Sequence, residues 1–106
     1  MRWHRVAVAA LGVLAGCHDD AQSFREGMAL ICAAETASGA AHASPAARAR
    51  IVADWVKVHV HNHAALTVFE ELGQLSGPDG ADHIAAAASR AGLAACPLVA
   101  MMGAPP

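Results

Sequence analysis

The chain has 106 residues, with seven Lys and Arg against nine Asp and Glu and a formal net charge of −2. This length is enough for one small domain and not for two. An acidic chain with no basic cluster is a poor phosphate binder, which argues against a nucleic-acid partner. Alanine is abundant and tyrosine is absent. Such a domain buries little area per residue, so its stability is marginal without a covalent cross-link.

The first segment, residues 1–16, is typical of a secretory signal peptide. Two arginines precede an uncharged apolar run from Val6 to Ala15, which is too short to cross a bilayer because a spanning helix needs about 20 residues. The run ends in Leu14-Ala15-Gly16-Cys17, which resembles the lipobox of bacterial lipoprotein precursors. The resemblance implies cleavage before Cys17 and a diacylglyceryl group on the Cys17 thiol, with acylation of the new amino group.

Lipidation of Cys17 predicts a membrane-anchored protein of the bacterial cell envelope, on the periplasmic side. Two or more acyl chains anchor a protein stably, whereas one binds reversibly. The residue after Cys17 is His18 and not aspartate, which by family resemblance favours the outer membrane over the inner membrane. In the alternative interpretation, Cys17 is a buried cysteine of an ordinary first helix. After removal of residues 1–16 the mature chain has five Lys and Arg and nine Asp and Glu, which gives a net charge of −4.

Cys32 and Cys96 are the only thiols that remain once Cys17 is lipidated. The compartment beyond the inner membrane is oxidising, and an even pair of cysteines there predicts a structural disulfide. A redox pair and a pair of metal thiolates are the two alternatives. Redox pairs are usually spaced Cys-x-x-Cys, and thiolates need further ligands nearby, so the disulfide is the favoured interpretation.

The first two helices are indicated by their caps and by their apolar faces. Ser23 and Glu26 fit a capping box, and Ser38-Gly39 ends the first helix. Ser44-Pro45 opens the second helix, with serine as the cap and proline in the first turn. Apolar side chains recur at helical spacing on both, at Phe24, Met28, Ile31 and Cys32 and then at Ile51, Val52, Trp55 and Val56.

The segment "WVKVHVHNH" is ambiguous between helix and strand. Val56, Val58 and Val60 alternate with polar residues, and alternating β-branched residues are typical of a strand. No second convincing strand exists to pair with it, and a lone strand leaves its backbone groups unmatched. We therefore predict that the second helix continues to about Val60.

Two further helices complete the predicted domain. Asn62 caps the third, and the fourth begins near Pro78 or Asp79 and ends at Gly92. The apolar side chains of the third helix are Leu66, Phe69, Leu72 and, at its end, Leu75. The last apolar segment, residues 93–102, holds Cys96, and the disulfide is expected to fix it across the first helix.

The predicted fold class is all-α, a small four-helix bundle-like domain after a cleaved signal peptide. Residues 17–22 form the lipidated N-terminus and linker, residues 23–102 the helical domain, and residues 103–106 a loose tail. In outline the chain resembles the small, one-disulfide helical lipoproteins of GC-rich bacterial genomes. Cys17, the Cys32/Cys96 pair and "DWVKVHVHNHAALTVFEEL" carry this resemblance, which supplies no activity.

His59, His61 and His63 form the one constellation in the sequence that could bind a metal ion. His59 and His63 share a face on a continuous helix, and all three histidines share one on a strand. Imidazole suits zinc, copper or nickel. If Asn62 caps a new helix, the chain turns between His61 and His63 and the four-residue geometry is lost. Further ligands could come from His83, Asp54, Glu70 or, for copper, Met101-Met102.

No catalytic motif is evident, so the expected function is non-enzymatic. The sequence contains no Gly-x-Ser-x-Gly, no Gly-rich phosphate loop and no His-Glu-x-x-His. Trp55 is a possible anchor for a partner, since tryptophan is enriched at interface hot spots, although a core position is favoured. The sequence predicts an envelope lipoprotein that acts as an interaction or structural module and needs no cofactor, with an envelope metal-binding protein as the alternative.

Overall fold

The computed structural model describes residues 21–103, and within this range the chain is all-α, as predicted, with no strand. The predicted signal peptide, Cys17, His18 and residues 104–106 lie outside the described residues. Five α-helices, α1 to α5, span Phe24–Ala37, Pro45–His59, His63–Glu71, Gly77–Arg90 and Pro97–Gly103. Two 3₁₀ turns span Ala40–His42 and Leu72–Gln74.

Helix α1 begins with the predicted capping box. The Ser23 hydroxyl accepts a hydrogen bond from the Glu26 N–H at 3.0 Å, and the Ser23 N–H donates to Glu26 Oε1 at 2.8 Å. Two orphan donors of the first turn are thereby satisfied. The Ser23 backbone N–H, and after it the Ser23 hydroxyl, holds the pKa of the exposed Glu26 carboxyl below its ordinary value.

Helix α2 continues through most of "WVKVHVHNH" and ends at His59, as the helical interpretation predicted. Val56 and Val60 are buried, whereas Val58 is 66 % exposed. A strand would place the three valines on one face, while residues four apart share a face of a helix. The burial pattern therefore follows the helical period.

The predicted cap of α3 and the predicted ends of α1 and α4 are confirmed, with one correction in α3. Ser44 stands at the N-cap of α2 as predicted, but its side chain makes no capping hydrogen bond. Asn62 Oδ1 accepts a hydrogen bond from the Ala65 N–H at 2.9 Å and so caps α3. Gly39 and Gly92 have φ of 82° and 78° and follow the ends of α1 and α4. The prediction that Leu75 lies on the buried face of α3 is wrong, because the helix gives way to a 3₁₀ turn and Leu75 is extended and 38 % exposed.

Helix α1 is the centre of the domain and packs against each of the other four helices. Its approach to α3 is close, since a Cβ on Gly27 would lie 2.7 Å from the Ala65 Cβ. Glycine at this position therefore lets the two helix backbones meet. The largest fully buried side chains are Met28, Ile31, Val56, Val60, Ile84 and Leu98.

A disulfide joins Cys32 in α1 to Cys96, the residue directly before α5, with the Cα atoms 4.7 Å apart. The predicted pairing is confirmed, and the C-terminal segment lies against α1 as expected. This segment folds as helix α5, which our sequence analysis did not predict. The helix includes Gly103, one residue beyond the predicted end of the domain.

Candidate functional site

The histidine corner, residues 57–63, joins α2 to α3 and contains the three clustered histidines. His59 is the last residue of α2, and His63 is the first of α3. Val60 and Asn62 between them have extended backbones, so the chain leaves the helix before His61. The four-residue helical spacing of His59 and His63 is therefore not formed, although all three side chains are exposed.

His59 is oriented by Trp55, one turn earlier on α2. The two rings stack with their centroids 4.1 Å apart, and His59 Nδ1 lies 2.9 Å from the Trp55 carbonyl oxygen. A carbonyl only accepts, so Nδ1 carries the proton and donates. Trp55 itself is partly buried and packs against the hydrophobic core, and its use as a partner anchor stays a prediction.

The suggested additional metal ligands do not join the histidine corner. His83 Nε2 of α4 donates a hydrogen bond to the Val68 carbonyl oxygen of α3 at 3.2 Å and lies 3.0 Å from Glu71 Oε1. Between residues 21 and 103, no three or more His, Cys, Asp or Glu side chains are grouped so that they could hold a metal ion. Metal binding by His59, His61 and His63 stays a prediction, which metal analysis of the purified protein can test.

A second feature, the α2–α3 groove, is an open apolar cleft with a volume of about 460 Å³. Helices α2 and α3 each pack on α1 but scarcely on each other, which leaves the cleft between them. Its size and apolar character are those of protein sites that receive apolar ligand groups. Its lining residues are Ala49, Val52, Ala53, Val56 and Lys57 of α2, Leu66, Phe69, Glu70, Leu72 and Gly73 in or after α3, and Leu98, Met101 and Met102 of α5.

Small residues explain why the groove stays open. Ala49 and Ala53 present only methyl groups to it from α2, and nothing lies within 4 Å of a Cβ built on Gly73 at the opposite wall. The buried Leu98 of α5 is also part of the lining. Among the described residues that line the groove, two are charged, Lys57 on α2 and Glu70 on α3, and their charges are opposite.

Sequence reasoning missed the contribution of α5 to the groove. Leu98, Met101 and Met102 recur at steps of three and one, and Pro97 stands in the first position of the helix, where proline is favoured. This spacing was a usable helical signal. Met101 and Met102, considered above as copper ligands, are partly buried and pack against the core.

Sequence reasoning also missed Gln22, which fastens the segment before α1 to the histidine corner. Gln22 Oε1 accepts from the His61 N–H at 2.6 Å and from the Asn62 N–H at 2.9 Å, and its Nε2 donates to the His59 carbonyl at 3.1 Å. Asn62 Nδ2 donates a hydrogen bond of 3.0 Å to the Gln22 carbonyl oxygen. No sequence signal distinguishes this glutamine from a solvated one.

Comparison with protein-family models, curated proteins and solved structures finds no match to this chain. Among the described helices, none combines the length and the hydropathy that crossing a membrane requires.

Proposed function

We propose that the mature chain is a lipid-anchored lipoprotein of the bacterial envelope, which acts without catalysis by docking an amphipathic helix of another envelope protein in the α2–α3 groove. The observation that carries the proposal is the groove itself, an apolar cleft that stays open between two helices of the domain. Helix-in-groove binding uses apolar side chains at helical spacing that enter such a cleft.

The two charged lining residues support a helical protein segment as the occupant. Lys57 and Glu70 stand on opposite walls of the groove. A helix that carries an acidic side chain on one edge of its apolar face and a basic one on the other would pair with both. Such charge complementarity at an interface fixes register and orientation more than it raises affinity.

Two observations support the envelope location. The lipobox ending in Cys17 implies a lipid anchor. The Cys32–Cys96 disulfide agrees with an oxidising compartment, because disulfides persist beyond the inner membrane and are rare in the cytosol.

The docking proposal predicts site-specific photocrosslinking in living cells. Ala49 is exposed and lines the groove, whereas Ala86 is exposed on α4 outside it. A photocrosslinking amino acid at position 49 is expected to capture a protein whose crosslinked segment is an amphipathic helix. The same residue at position 86 is the matched control and should give no such adduct.

Filling the groove should reduce the crosslinked adduct. Gly73→Leu places a side chain in open space on the groove wall, so the fold should be unchanged by circular dichroism. The position-49 adduct should then fall several-fold. Equal adducts at positions 49 and 86, or adducts that contain only lipid, would contradict helix docking.

The anchor is tested by metabolic labelling with radioactive palmitate. We expect the label on this polypeptide and a mature chain that begins at Cys17, and a Cys17→Ala variant should lose both. A mature product that carries no label and retains residues 1–16 would overturn the lipoprotein assignment.

A further inference from the structure

The histidine corner is the part of the domain that contacts the segment before α1. Four hydrogen bonds join Gln22 to His59, His61 and Asn62. The start of α1 is also close to this corner, since a Cβ on Gly27 would lie 3.3 Å from the Asn62 Cβ. Gln22, the residue from which the sequence continues back towards Cys17, therefore lies at the histidine corner.

The tether between Gln22 and Cys17 is short. Cys17 precedes Gln22 by five residues, which span at most about 18 Å when fully extended. A lipid on Cys17 therefore keeps Gln22 within about 18 Å of Cys17, and the tether allows the corner to contact the headgroup layer directly.

The chemistry of the corner suits a lipid headgroup layer. Lys57 and the three imidazoles are exposed, and residues 57–63 contain no carboxylate. The Lys57 ammonium and the N–H groups of His61 and His63 can donate to phosphate oxygens, whereas the proton on His59 Nδ1 is donated to the Trp55 carbonyl oxygen. Val58 is the most exposed large apolar side chain among the described residues, at 66 %, and an apolar side chain gains free energy when it enters the interface.

We infer that the histidine corner is the membrane-facing surface of the mature protein and contacts the headgroup layer of the bilayer that holds Cys17. This inference rests on the proposed lipidation. The acidic groups closest in sequence to the corner and its tether are Asp19, Asp20, Glu26 and Asp54. Glu26 is bonded to Ser23, and Asp54 lies one helical turn before Val58, further from the end of α2. In this orientation the Lys57 end of the α2–α3 groove is nearest the membrane.

The inference is tested with the full-length lipidated protein in vesicles of phosphatidylethanolamine and phosphatidylglycerol that carry a headgroup-attached quencher. A fluorophore is placed through Val58→Cys or, as a control at the other end of α2, through Ser44→Cys. Both positions are exposed, and they lie about 21 Å apart along the helix. Quenching should be several-fold stronger at position 58 than at position 44.

A variant with a longer tether distinguishes contact between the histidine corner and the headgroups from anchoring by the lipid alone. A long Gly-Ser insertion between Asp20 and Ala21 should reduce quenching at position 58 to the level of position 44, while the lipid on Cys17 remains. Mass spectrometry of the same samples reports lipidation independently. Equal quenching at positions 58 and 44 in the lipidated wild-type tether overturns the inference alone, and the absence of lipid on Cys17 overturns the proposed function with it.

Discussion

A Cys32→Ala/Cys96→Ala double variant is expected to lose roughly 4 kcal/mol of the free energy of unfolding, the largest effect that we predict. The bond closes a loop between residues 64 apart, and in the loop-entropy model a closure of this length raises the free energy of the unfolded chain by about that amount. Small domains have a total stability of about 5–15 kcal/mol. The variant should therefore lose between about a quarter and four fifths of the total stability.

The location of the disulfide in the fold explains why other contacts do not compensate for the lost free energy of unfolding. Cys32 lies in the central helix α1 and is buried, and Cys96 is followed at once by α5. Helix α5 has only seven residues, and an isolated helix shorter than about 12 residues is marginal in water. We expect α5, including the buried Leu98, to detach when the bond is absent.

The measurement is thermal and urea unfolding of the purified domain, followed by circular dichroism. Reduction of the wild-type protein is the matched control, because it opens the bond and keeps both sulfur atoms. Reduced wild type and the double variant should both melt at least about 15 °C below the oxidised protein. Equal stability of the oxidised and reduced proteins would show that the bond does not stabilise the fold.

A Val56→Ala variant is expected to lose about 2 kcal/mol of the free energy of unfolding, whereas Val58→Ala should change it by less than about 0.5 kcal/mol. The two substitutions remove the same atoms from the same helix, two residues apart. Val56 is fully buried and Val58 is 66 % exposed. Only the buried truncation loses transfer free energy and leaves a cavity.

The pair of variants is compared by thermal unfolding. Val56→Ala should lower Tm by about 10 °C and Val58→Ala by no more than about 3 °C. The comparison also tests the local conformation, because a strand would put residues 56 and 58 on the same face. Similar losses at both positions would contradict a helical α2 that ends at His59.

Much of the local structure could be predicted from the sequence because short-range contacts determine it. The Ser23–Glu26 capping box and the Asn62 cap of α3 are bonds between residues three apart, and a glycine directly after a helix favours the left-handed conformation that ends it. The all-α class and the helical interpretation of "WVKVHVHNH" follow from the same kind of argument. The Cys32–Cys96 pairing required only that two thiols remain in an oxidising compartment.

The candidate sites depended on contacts between residues that are distant in sequence. Gln22 bonds to residues 37 to 40 positions later, and a glutamine side chain carries no local signal of its partner. The spacing of Leu66 and Phe69 predicted that they share one apolar face of a helix. It could not show that α2 would leave a groove beside this face instead of packing closely against it. Leu75, assigned to the same face, became exposed when a 3₁₀ turn redirected the chain.

By itself, then, the sequence determined the first four helices, the caps of α1 and α3 and the disulfide partners, because each depends on neighbouring residues or on a count of residue types. The tertiary structure alone decided that the α2–α3 groove stays open and that Gln22 ties the N-terminal segment to the histidine corner. The physical reason is that the groove and the Gln22 hydrogen bonds both result from the way the helices pack around α1. Packing depends on the complementary shapes of surfaces, which no local sequence pattern encodes.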